Sequence, residues 1–243
     1  MSAGFKGPIV HGPRSTSEGY KYRTGMGMMS SAEFAVFHDD FFQLVTTNVP
    51  AGWTAAVIDT GATVVADTTA ASATGVLLFD SDGTTEGSAI YLPKAVQLTS
   101  GKKFMMEIRF KTEVADDSDV QFGLTDLTAT TNPEDLWTTT AASVLSFGVL
   151  DGSAVTGILA DSANAGTAVV TGTLSLSDAT WHTLAIFFDG TRAYGFVDGN
   201  LSVSTATTVP TGVALAPFVG FRNGSAATTE GSLDYARIII ERG

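Results

Sequence analysis

The sequence contains no cysteine, which excludes disulfides, thiolate nucleophiles, iron–sulfur clusters and cysteine-ligated zinc. Histidine occurs only as His11, His38 and His182, little material for a metal centre or a Ser-His-Asp relay, and no Gly-x-Ser-x-Gly elbow accompanies them. Basic side chains are scarce: 13 Lys and Arg stand against 25 Asp and Glu, a formal net charge of −12. A surface of that sign repels phosphate backbones, so nucleic acid is not an expected partner. No apolar run approaches the ~18 residues that span a bilayer. Glycine, proline and charge interrupt the first thirty residues, so no secretory segment is read there. The sequons at Asn200 and Asn223 are accordingly read as turn asparagines, and no cofactor and no membrane insertion are expected.

What is present is a packing composition. With 44% hydrophobic and 16% charged residues in 243, the chain is too apolar for disorder and suits one large all-β domain. Charge is unevenly spread. The first thirty residues carry Lys6, Arg14, Lys21 and Arg23 against Glu18 alone, so they hold +3 and the remainder −15. That leader is rich in glycine and has neither a 3.6-residue nor a 2-residue apolar period, yet it contains Phe5, Tyr20 and Tyr22. Residues 1–36 are read as an extended arm for docking on a neighbour, and residues 37–243 as the folded body.

From Phe37 onward, short β-branched and aromatic runs alternate with Gly, Asp and Asn turns, the pattern of an antiparallel all-β domain. Thirteen runs qualify as strands, from Phe41–Thr46 to Leu233–Glu241, and the clearest tight turn is Asp198-Gly199-Asn200. In Phe104–Phe110, Glu107 and Arg109 alternate with Met106, Ile108 and Phe110, as expected where one face is buried. So many strands suit a sandwich better than an eight-stranded barrel.

Trp181-His182-Thr183-Leu184-Ala185, followed by Tyr194-Gly195-Phe196-Val197-Asp198-Gly199, resembles the laminin-G and pentraxin branch of the concanavalin A-like jelly rolls. Leu98–Ile108 looks like the strand that opens that family's central sheet, and Gly231–Ile238 like its closing strand. The resemblance implies two antiparallel sheets of about six strands each, with the first and last strands adjacent. Trp181 is expected between the sheets.

The glycosidases of this superfamily place their carboxylates in a Glu-x-Asp-x-(x)-Glu spacing on one strand, because alternate residues face the same cleft. The sequence has no such spacing, and no enzymatic activity is expected. Asp116, Asp117 and Asp119 offer oxygen for calcium, although a solvated acidic hairpin is the plainer reading. For sugar, an exposed aromatic beside an acceptor is needed. Trp53, Tyr91 and Trp137 are the candidates, and Trp137 with Asp135 in an acidic loop is preferred.

These features together resemble the decoration proteins of tailed bacteriophages. The leading expectation is a non-enzymatic virion protein on the capsid surface, its arm residues Phe5, Lys6, Arg14, Tyr20, Lys21, Tyr22 and Arg23 set against a major capsid or other shell protein, and its copies forming a homo-oligomer on the lattice. The alternative is a carbohydrate-binding, lectin-like module that holds host surface glycans.

Overall fold

Alternation along the strands sets the architecture. The computed structural model describes residues 34–41, 49, 52–57, 62–66, 75–81, 87–127, 143–149, 154–161, 168–206, 208–223 and 229–242. Phe104, Met106, Ile108 and Phe110 point into the main core, while Met105 between them joins a separate cluster on the opposite side.

Sixteen strands are found among the described residues: β1 (Phe34–Asp39), β2 (Thr54–Val57), β3 (Thr63–Ala66), β4 (Leu77–Asp80), β5 (Gly87–Tyr91), β6 (Val96–Gln97), β7 (Phe104–Thr112), β8 (Ser118–Thr125), β9 (Val144–Val149), β10 (Val155–Asp161), β11 (Ala168–Ser175), β12 (His182–Phe188), β13 (Ala193–Val197), β14 (Asn200–Thr205), β15 (Ala214–Asn223) and β16 (Gly231–Glu241). They form two eight-stranded antiparallel sheets. Sheet I runs β14-β13-β12-β7-β16-β4-β3, with β1 also on β16, and sheet II runs β11-β10-β9-β8-β15-β5-β2, with β6 also on β15. The fold is the all-β, two-sheet jelly-roll sandwich that the sequence suggests. Each sheet is larger than the six strands expected, because β1, β3, β6 and β10 were not legible as strands. Among these, β10 is broken in sequence by Gly157, and β6 has two residues.

The core between the sheets is aromatic. Phe79, Phe110 and Phe221 meet with ring centroids 6.0 to 6.5 Å apart, and Phe122 meets Phe147 edge-on at 6.0 Å. Burying each such ring contributes about 1.5–3 kcal/mol. Gly231 belongs to this packing, since a Cβ there would lie 2.6 Å from Phe110 and 2.7 Å from Phe221.

One side of the sandwich is closed by Ser202 on β14. Its Oγ lies 2.8 Å from Thr156 Oγ1 and accepts the Thr173 and Leu174 N–H groups at 3.2 Å each. The turn at Asp198 and Gly199 has φ of +50° and +79°, the left-handed pair that a two-residue hairpin requires. Asp198 also clips the next strand over: its Oδ1 accepts the Thr183 N–H at 2.8 Å, and its Oδ2 lies 2.7 Å from His182 Nδ1. His182 Nε2 accepts the Ser177 N–H at 3.0 Å. The proton therefore resides on Nδ1, and His182 is a structural clip between a turn and a strand.

β1 pairs with β16, Phe34 opposite Glu241, so the first described strand and the last lie side by side. The expected arm extends to residue 36, but Phe34, Ala35 and Val36 are already part of sheet I. The remaining arm residues, from Phe5 to Arg23, lie outside the described residues.

Candidate functional site

Register across sheet II brings the smallest side chains into one row. Gly157 faces Gly148, Gly148 faces Gln121, Gln121 faces Gly220, Gly220 faces Ala89, and Ala89 faces Ala56. These residues point away from the inter-sheet core, because their neighbours Val120, Phe122, Phe147, Ile158 and Ile90 fill it. Six strands at about 4.8 Å spacing make a trough roughly 24 Å long.

Its two banks differ. On one side the next row reads Leu159, Ser146, Gly123, Phe218 and Tyr91, with the rings of Tyr91 and Phe218 stacked at 6.2 Å and 29°. On the other side Asp119 faces Arg222. The guanidinium donates to Asp119 Oδ2 through Nε at 3.0 Å and Nη2 at 2.5 Å, an ion pair whose carboxylate is wholly buried.

Gln121 occupies the middle. Its Oε1 accepts a hydrogen bond from Ser146 Oγ at 2.9 Å, which turns the amide nitrogen the other way. That nitrogen is buried and has no hydrogen-bond partner among the described residues. A buried amide N–H without a partner costs about 1–3 kcal/mol and is rare enough to need an explanation. The row that contains it is otherwise glycine and alanine, so the donor stands above a floor with nothing else to accept from it. The trough is shielded from solvent: Gln121, Ser146, Ala89 and Phe218 have no exposure.

The residues singled out from the sequence fare unequally. Trp137 and Asp135, the preferred sugar contacts, lie outside the described residues. Trp53 is no sugar platform. It is 6% exposed, its ring packs against Phe37 and Phe41, and its Nε1 donates to Asp39 Oδ2 at 2.9 Å. Tyr91 does border the trough. Trp181 does not enter the space between the sheets; it sits on the other side of sheet I, with Arg109 and Lys111 over its ring at 4.9 and 5.3 Å.

Asp116, Asp117 and Asp119 do not converge as calcium ligands. Alternation sends Asp119 into its ion pair with Arg222, and Asp116 Oδ1 accepts the Ala154 N–H at 3.2 Å. Among the described residues no three His, Asp or Glu side chains gather in the way a metal ion requires.

Sequence reasoning missed Gln121. Its signal was a lone amide inside Val120-Gln121-Phe122-Gly123-Leu124, with mid-strand glycines at 123, 148, 157 and 220. Glycine inside a strand often marks a close approach of a ligand or another backbone.

Residues 82–239 match a family model described as the concanavalin A-like lectin/glucanases superfamily. The chain belongs to this superfamily. Among solved structures it is similar to the carbohydrate recognition domain of Emp47p, with a TM-score of 0.62 at 13% identity over 88% of this chain and 100% of that one. Peanut lectin has a TM-score of 0.56 at 9% identity, over 86% and 97% of the two chains. A pseudo β-1,3-glucanase of Mycobacterium tuberculosis has a TM-score of 0.56 at 14% identity, over 85% and 98%. No curated protein sequence matches the chain. At such identities the superfamily member shares a fold with these proteins, and its own site has to be argued from its own residues.

Proposed function

We propose that the chain is a non-catalytic carbohydrate-binding module whose glycan lies across sheet II, over Gln121. The observation that carries this reading is the unpartnered Gln121 amide nitrogen at the centre of a glycine and alanine trough. A glycan suits such a place: its hydroxyls accept hydrogen bonds, and its chain fits a long, uncharged floor once the buried face opens. The stacked Tyr91 and Phe218 supply an apolar bank. The likeness to the Emp47p carbohydrate recognition domain and to peanut lectin supports the same reading at the level of fold.

Binding without turnover is favoured by what β9 presents to the trough. Val144, Ser146 and Gly148 occupy its outward positions, so this central strand offers no carboxylate pair for acid and nucleophile chemistry. Asp119 is neutralised by Arg222. The virion reading depends on residues 1–33, and nothing among the described residues favours it.

A glycan array probed with the full chain tests the proposal. Binding to a defined oligosaccharide, lost in Gln121→Leu with the fold intact by circular dichroism, is the expected result. Binding that Gln121→Leu leaves unchanged, or turnover of the bound glycan, overturns it.

A further inference from the structure

Sheet edges, rather than the faces, hold the exposed apolar side chains of this protein. Val36, Phe37, Val57, Val169 and Leu201 are the large hydrophobic residues that stand exposed among the described residues, and they lie on β1, β2, β11 and β14. Three of these strands end a sheet, and β1 flanks β16 at its C-terminal half. An edge strand presents unpaired N–H and C=O groups and is a template for another strand unless charge, proline or a bulge protects it.

β11 is the longest of the strands that end a sheet. Its eight residues, Ala-Val-Val-Thr-Gly-Thr-Leu-Ser, contain no charge and no proline. Its two halves differ in what holds them. The N–H groups of Thr173 and Leu174 are taken by Ser202 Oγ, which ties the second half to β14. The first half, Ala168–Thr171, pairs in regular register with Gly157–Ala160 on β10 and has no strand on its other side among the described residues. Val169 there is 54% exposed, and Leu201 on the stacked edge of sheet I is 38% exposed.

We infer that the first half of β11 pairs with β11 of a second copy of this chain, joining two copies of sheet II edge to edge. An antiparallel pair of identical strands is related by a two-fold axis, so the same edge serves both partners and the assembly closes as a dimer. Charge favours this edge for self-association. A chain with net charge −12 repels its own copy over most of its surface, whereas this segment brings no like charges together. With Val170 on the axis, Val170 faces its own copy and Val169 faces Thr171 of the other copy, all of them β-branched, the residue type that pairs best between strands.

Sedimentation velocity of the full chain without glycan, across the micromolar range, tests this independently of sugar binding. The wild type is expected to sediment as a concentration-dependent dimer. Val169→Lys sets like charges across the axis, and it should weaken the dimer by at least about tenfold with an unchanged far-ultraviolet spectrum; Thr171→Lys should act in the same direction. Val36→Lys, on β1 of sheet I, should leave it intact. A wild type that is monomeric at every concentration, a dimer that survives both β11 variants, or one that only Val36→Lys dissociates overturns the inference.

Discussion

Ser146 donates its hydroxyl hydrogen to Gln121 Oε1 across 2.9 Å, and this contact fixes which end of the amide faces the trough. Without Ser146 the carbonyl end loses its partner and the amide is free to turn over. Ser146→Ala is therefore expected to lower stability by about 1–3 kcal/mol and to weaken glycan binding several-fold. Gln121→Leu removes the unpaired donor and fills the floor, so it should abolish binding at little cost in stability. Denaturant titration beside calorimetric titration of the glycan separates the two effects.

Asp119 makes a second testable pair with Arg222. The carboxylate is fully buried, and the guanidinium side chain is 17% exposed, so removing the cation strands a charge in the interior. Arg222→Met should cost about 3–5 kcal/mol, and adding Asp119→Leu in the same chain should restore much of that loss. A double-mutant cycle in urea gives the coupling. Additive losses would mean that the pair contributes nothing as a pair.

The trough glycines predict a contrast between substitutions of one kind. A Cβ on Gly148 would run into the Val120 carbonyl of the neighbouring strand, whereas one on Gly212 meets nothing within 4 Å. Gly148→Ala should therefore cost about 3 kcal/mol, as strands move apart to admit the methyl group. Gly212, at φ +77°, should cost only the backbone strain of about 1–2 kcal/mol on mutation to Ala. Thermal denaturation of the two variants ranks them.

Two titrating groups bound the pH range of stability from opposite ends. Burial pushes Asp189 upward, but the Arg192 and Thr191 backbone N–H groups and the Tyr194 hydroxyl outweigh it and hold the carboxyl below its usual 3.8. The unfolded state then binds more protons, so this contribution is present above pH 3.8 and is lost as pH falls through the folded value. Burial first, and then the charge and hydrogen bond of Glu107, raise Tyr235 well above its usual 10.0. Its contribution is full below pH 10 and drains away at higher pH. Asp189→Asn should flatten the acid side of a stability–pH curve by lowering stability at neutral pH, where the carboxylate contribution is present, and Tyr235→Phe should flatten the alkaline side while losing the hydrogen bond to Glu107 at neutral pH.

Strands were legible where period-2 alternation was strong and turns were sharp. His182–Phe188 is recovered residue for residue, and Asp198-Gly199 forms the hairpin turn that its composition suggests. Elements without their own apolar pattern were not. β10 carries Gly157 in its middle, and β1 continues a segment that reads as an arm until Glu241 and Ile240 are seen beside it. Trp181 and Trp53 show the limit for side chains. Both are tryptophans near strands, and only tertiary packing sends one beneath two cations on an outer face and the other against Asp39 in the interior. The trough was hidden for a different reason. Gly157, Gly148, Gln121, Gly220, Ala89 and Ala56 come from six strands, and register alone aligns them.

A co-crystal of the full chain with the oligosaccharide that binds it tests the central claim most directly. The account predicts a sugar hydroxyl within hydrogen-bond reach of Gln121 Nε2 and a glycan lying across the strands between Tyr91 and Arg222. A sugar bound elsewhere on the protein, with an ordered water satisfying the Gln121 amide, would contradict it.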